Sequence, residues 1–240
     1  MTTASALPPV DFVLNCFQRN LDLVTEPGYL DRAASQHGHP FEMRTLLINN
    51  VDDREYARRR AQAAIERGEI DRFVFVDDYL DAALRRTNTK RRDFGRYLHW
   101  SDCCLVALCL DGPDFLCYVD VDLDLRGTGD WVEKGLELFA EDSRVGVANP
   151  NWRMSDGSTT VEQESDTVGP GWFKGYGFTD QIFLCRRSQL ARPLLRRWVP
   201  FLLISPASAR FPGHQFPVGA STLFSNRSWM RTCGADAFSE

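Results

Sequence analysis

The chain has 240 residues, 43% hydrophobic and 25% charged, with a formal net charge of -5. That balance fits a folded globule with a sizeable core, as one large domain or two small ones, and disfavours nonspecific nucleic-acid binding. Seven cysteines, several of them inside apolar runs and none at zinc-finger spacing, argue against a disulfide scaffold and against a structural zinc site.

Residues 1–9 read as a loose arm without the basic and apolar regions of a signal peptide. No apolar run is long enough to span a bilayer, so the expectation is a cytoplasmic protein. Residues 10–17 predict a first strand, followed by Gln18, Arg19 and Asn20. A short helix is expected over 29–36, closed by Gly38 and Pro40. Residues 43–50 predict a second strand with Leu46, Leu47 and Ile48 at its centre, running into Asn49, Asn50, Val51, Asp52 and Asp53. A helix over 54–67 follows, capped by Asp52 or Asp53 and stopped by Gly68. Residues 71–76 predict a third strand with Asp77 and Asp78 as its polar tip. The repeated order of strand, polar tip and helix implies an open, doubly wound α/β domain. Neither GxGxxG nor GxxxxGK[ST] is present, which argues against dinucleotide binding in the usual geometry and against a P-loop.

The basic run RRTNTKRR, 85–92, is either a solvated connection between helices or an arm that reaches a diphosphate. A buried helix is expected over 97–110. Then comes the organising stretch, FLCYVDVDLDL over 115–125. An apolar strand runs abruptly into aspartates at alternate positions. Strand periodicity sets Asp120, Asp122 and Asp124 on one face, provided the strand continues that far. Three like charges there repel one another, and a divalent cation with phosphate oxygens on its far side would relieve them. A solvated edge strand, or caps of the next turn, is the plain alternative.

A further helix ends at Ala140, and a strand over 144–148 runs into Asn149, Pro150, Asn151 and Trp152. Residues 153–171 are polar and read as a long loop of the kind that serves as a lid. Trp172, Phe173 and Tyr176 follow among glycines, as sugar platforms or loop anchors. FTDQIFLCRR, 178–187, predicts a strand or buried turn, and 188–203 a helix disturbed by Pro193 and Pro200. His214 sits between turns, as a solvent-facing histidine or a third metal ligand.

Taken together, YVDVD resembles the DxD motif of nucleotide-sugar-dependent glycosyltransferases with the GT-A fold, and FVLNCFQRN resembles the first strand of that domain. The resemblance covers residues 10–151 and rests beyond that on Asp180-Gln181, similar to an Asp-Gln found after the donor site. It implies a single GT-A-like, Rossmann-like domain with a mostly parallel sheet flanked by helices: a flexible arm 1–9, a nucleotide-sugar-binding part 10–151 and an acceptor-side part 152–240. It implies Mn²⁺ or Mg²⁺ held by Asp120 and Asp122, with His214 as a third ligand, and donor contacts from Arg19, Asn20, Asn50, Asp52 and Asp120. Asp180 becomes the candidate base, and Trp152, Trp172 and Tyr176 the acceptor platforms. The expected partners are a nucleoside-diphosphate sugar, UDP foremost, and a saccharide or small-molecule acceptor. No nucleic acid or integral membrane contact is expected, and a homodimer is left open. A sugar nucleotidyltransferase is the first rival, although CFQRN lacks its glycine-rich basic phosphate loop. A noncatalytic carbohydrate-binding module, with the aspartates as caps, is the second.

Overall fold

The computed structural model describes residues 7–95, 98–123, 129–150, 165–175, 179–193 and 229–233. Nine strands among them form one sheet in the order β3-β2-β1-β4-β8-β5-β9-β7-β6. The strands are β1 (Val10–Phe17), β2 (Met43–Asn49), β3 (Arg72–Phe75), β4 (Phe115–Asp120), β5 (Val145–Pro150), β6 (Ser165–Gly169), β7 (Trp172–Gly175), β8 (Ile182–Arg186) and β9 (Trp229–Cys233). All point the same way except β7 and β8. The mostly parallel α/β sheet expected from the sequence is therefore present, and the two reversed strands make it mixed.

The helices are α1 (Leu21–Val24), α2 (Tyr29–Ser35), α3 (Arg54–Glu66), α4 (Val76–Thr87), α5 (Arg91–Phe94), α6 (Leu98–Cys109), α7 (Trp131–Glu141) and α8 (Arg187–Leu190). Side chains that alternate along the strands feed two cores. Val10, Phe12, Leu14 and Cys16 of β1 and Phe115, Cys117 and Val119 of β4 pack with α1, α2, α3 and α7. Val13, Leu116 and Tyr118 pack on the other face with α4, α5, α6 and α8. A sheet covered on both faces explains why β1, β2 and β4 read as near-continuous apolar runs. Each large side chain buried in these layers contributes about 1.5–3 kcal/mol.

Local chemistry fixes the element ends. Asp53 caps α3, accepting from the Tyr56 amide at 2.8 Å, and Gly68 stops it with φ +74°. β3 runs into α4 without the expected polar tip: Asp77 and Asp78 occupy the first turn of α4, where negative charge complements the helix dipole. β4 ends at Asp120, and Asp122 lies in a turn instead of continuing the strand.

Two expectations beyond residue 150 are corrected. The stretch expected as one long loop over 153–171 ends in a hairpin, β6 to β7, around Pro170-Gly171. Gly171 takes φ +69°, the conformation a glycine after proline allows in such a turn. The helix expected over 188–203 is a single turn, α8, followed by a bend, with residues 194–203 outside the described residues. A C-terminal strand, β9, was not expected. It pairs parallel with β5 and antiparallel with β7, and so joins the hairpin to the rest of the sheet.

At the edge where β1 and β4 begin, Asp11 lies fully buried. Its carboxylate takes Arg187 Nη2 at 2.5 Å, Arg72 Nη2 at 3.2 Å and the Thr45 hydroxyl at 3.1 Å. This cluster locks α8 and β3 to the centre of the sheet.

Candidate active site

The chain moves outward from β1 to β2 and β3, then returns through α4, α5 and α6 to place β4 on the other side of β1. The strand order reverses between β1 and β4. In open α/β sheets ligands bind in the crevice at such a point, outside the carboxyl ends of the strands. Asp120 closes β4 at that point, and Gln18, Arg19 and Asn20 form a 3-10 turn closing β1.

The register brings these groups together. Asn15 of β1 pairs with Asp120 of β4, and the Asn15 amide donates to Asp120 Oδ2 at 3.4 Å. Asn20 donates to Asp122 Oδ1 at 3.5 Å, and Arg19 Nη2 lies 3.7 Å from the same oxygen. The Asp122 amide points at Asp120 Oδ1 at 3.5 Å. On the outer side of β4, β8 runs antiparallel, so its entry lies at this same edge. The Asp120 amide donates to the Gln181 carbonyl at 2.6 Å, and Asp180 comes to sit beside Asp120. On the other side of β1, Gln18 accepts from the Asp52 amide at 3.0 Å and ties the end of β2 to the end of β1. Asn50 is exposed there with φ 49°, a conformation asparagine tolerates better than most residues.

The ends of β2, β1 and β4 and the entry to β8 thus form one crest. It carries Asn50 and Asp52, Arg19 and Asn20, Asp120 and Asp122, and Asp180 in that order. Arg19 is well exposed and able to reach a ligand, whereas Asn20 is largely buried with its amide engaged at both ends. Burial first, then the neighbouring Asp122 charge, push Asp120 up to about 6. Burial also raises Asp180. The crest is acidic, and among the described residues its carboxylates do not pair with buried cations.

Hard carboxylate oxygens, one of them held in an unfavourable like-charge environment, suit a divalent cation such as Mg²⁺ or Mn²⁺. Among the described residues no cluster of three or more histidine, cysteine, aspartate or glutamate side chains is arranged to hold a metal. The pair Asp120 and Asp122 would therefore supply part of a coordination sphere, with the remainder open. Asp124, Trp152, Tyr176 and His214 lie outside the described residues.

Trp172, read from the sequence as a sugar platform or a loop anchor, lies among the described residues. It starts β7, its indole lies over Gly169, and it packs against the core shared with α1, α2, α3 and α7. Asp120 follows Leu116 and Tyr118 in the strand alternation and faces the opposite side of the sheet. The tryptophan anchors the hairpin because a large apolar surface next to a glycine is best buried there. The basic run 85–92 stays away from the crest: Arg86 bonds the Cys109 carbonyl at 2.9 Å and Arg91 pairs with Asp81 at 2.9 Å.

Two buried polar residues of this region escape a pattern reading. Asn15 interrupts an apolar strand, and Asp102 lies within the apolar α6, where it accepts from Asn49 Nδ2 at 3.1 Å. A polar residue inside an apolar run was their only sequence signal.

No family model and no curated protein sequence matches the chain. Among solved structures the chain is similar to glucosyl-3-phosphoglycerate synthase from Mycobacterium tuberculosis in complex with UDP, at 13% identity and a TM-score of 0.43, over 76% of this chain and 58% of that one. The same synthase with Mn²⁺, UDP-glucose and phosphoglyceric acid gives 13% identity, a TM-score of 0.43 and the same coverage of 76% and 58%. A structure described only as a mycobacterial protein gives 13% identity and a TM-score of 0.47, over 95% of this chain and 65% of that one. The chain spans less than two thirds of the length of each. The α/β architecture stands on the chain's own sheet order, and function has to be argued from the crest. No helix among the described residues is long and apolar enough to cross a membrane.

Proposed function

We propose that the chain is a divalent-cation-dependent glycosyltransferase that moves a sugar from a nucleoside-diphosphate sugar, with UDP the favoured nucleotide, to an acceptor hydroxyl. The observation that carries this reading is the meeting of Asp120, Asp122 and Asp180 at the strand-order reversal, from segments far apart in the chain. An acidic crest at that position suits a ligand whose phosphates arrive with a cation.

In this reading Asp120 and Asp122 hold Mn²⁺ or Mg²⁺, which when bound offsets the charge of a leaving diphosphate. Asp120, half-buried at the strand end, is the fixed member of the pair. Asp122, exposed in the following turn, is the adjustable one. Arg19 can leave its solvent-exposed contact with Asp122 for a phosphate oxygen at little cost, since an exposed ion pair contributes about 0–1 kcal/mol. Asn50 and Asp52 stand two strands from Asp120 and are the candidates for the nucleoside. Asp180 is the candidate base for the acceptor hydroxyl, because its raised proton affinity favours taking up a proton. Trp152, Tyr176 and His214 keep their expected roles within the proposal.

The test is a thermal-shift screen of UDP-, GDP-, dTDP- and CMP-linked sugars with and without Mn²⁺. A ligand at ~100 times its dissociation constant adds about 2.7 kcal/mol. Stabilisation by one nucleoside-diphosphate sugar that requires the metal is the expected result. Stabilisation by none of them, with binding of a plain saccharide, replaces the proposal with a carbohydrate-binding module.

A further inference from the structure

Two amides face the Asp120 and Asp122 carboxylates, and only one has an evident reason in the fold. Asn20 accepts from the Phe17 amide at 2.9 Å and closes the 3-10 turn while it donates to Asp122. Asn15 closes nothing. It sits between Leu14 and Cys16 in β1, 2% exposed, and its Oδ1 is buried without a hydrogen-bond partner among the described residues. A bare buried acceptor is a standing cost to stability that a leucine of similar size would not incur. The amide cannot turn over to relieve it, because Oδ1 would then face the Asp120 carboxylate. Asn15 also accepts the Val121 amide through its backbone carbonyl at 3.1 Å. One residue therefore holds the Asp120 side chain and the peptide that follows it.

We infer that Asn15 is a positioning residue, which pins one oxygen of Asp120 so that the carboxylate meets a divalent cation in a single orientation. The inference rests on the reading of Asp120 as a metal ligand. Asn15 itself touches neither cation nor substrate. Partners that hydrogen-bond a ligating group in this way typically change metal affinity by about 10–100-fold.

Mn²⁺ alone, titrated into the full chain and followed by electron paramagnetic resonance, separates the two ideas. Wild type, Asp120→Asn, Asn15→Leu and Asn15→Ala are compared, each with its melting temperature. Asp120→Asn is expected to lose Mn²⁺ binding. Asn15→Leu is expected to bind Mn²⁺ about 10–100-fold more weakly while its melting curve shows it folded at the temperature of the titration, a combination that loss of folding cannot produce. Wild-type Mn²⁺ affinity in Asn15→Leu overturns the role of Asn15 and leaves Asp120 as a ligand. Absence of Mn²⁺ binding in wild type overturns both. Should the leucine variant not fold, the alanine variant decides by the same comparison of affinities.

Discussion

The backbone amide of Asp120 donates to the carbonyl of Gln181 at 2.6 Å. Through this bond the end of one strand and the entry to another share an edge, and Asp180 joins a carboxylate pair from which it is remote in sequence.

Asp122→Asn is expected to remove transfer activity while the fold stays intact. The side chain is 47% exposed and forms no part of either core, so its effect on stability falls within about 0.5 kcal/mol. Loss of several kcal/mol of charge stabilisation corresponds to a drop of at least a hundredfold in rate. Turnover of a UDP-sugar with Mn²⁺ present, beside a melting curve, checks both halves. Normal turnover removes Asp122 from the site.

Asp120 makes the metal-free protein sensitive to pH. Burial and the Asp122 charge raise it from 3.8 to about 6. A folded value above the unfolded one means that its contribution is fully present below pH 3.8 and is lost as pH rises through about 6. The loss amounts to about 3 kcal/mol. Asp120→Asn is therefore expected to exceed wild type in urea stability by about 2–3 kcal/mol at pH 8, and to match it at pH 4, with a chelator present. An equal offset at both pH values rules out titration of Asp120 as the cause.

The Asp11 and Arg187 pair offers a test of the fold's other edge. Both side chains are buried and meet at 2.5 Å. Arg187→Met leaves Asp11 with the Thr45 hydroxyl and the half-buried Arg72, and is expected to cost about 3–5 kcal/mol. The double variant Asp11→Asn with Arg187→Met is expected to recover most of that, because no uncompensated buried charge remains. Urea unfolding of both single variants and the double gives the coupling energy, and strict additivity would show that the two groups are independent.

Gly169→Ala tests the hairpin. A Cβ at that position would overlap the Trp172 indole. The ring must leave its seat, at about 1–3 kcal/mol. The emission of Trp172, taken as the difference from Trp172→Phe, is expected to shift to the red. Unshifted emission would mean that the indole is not held over Gly169.

Runs of apolar residues determined most of the layered architecture. Leu46, Leu47 and Ile48, and the stretch from Phe115 to Val119, are buried on both sheet faces, and such strands announce themselves by composition alone. Asp53 and Gly68 marked the ends of α3 for an equally local reason, the hydrogen bonds and the φ that a helix end requires. Asp120 and Asp122 drew attention because an apolar strand rarely stops in charge. Pairing was not legible. Nothing near Asp180 encodes that β8 lies antiparallel against β4, and nothing near residue 229 encodes that β9 fills the gap between β5 and β7. Asn15 is a polar residue inside an apolar strand, and only the register shows that its partner is Asp120. Local sequence fixes which backbone segments extend and which coil, since those preferences act over a few residues. Which carboxylate meets which amide depends on contacts between distant segments, and only the closed sheet decides them.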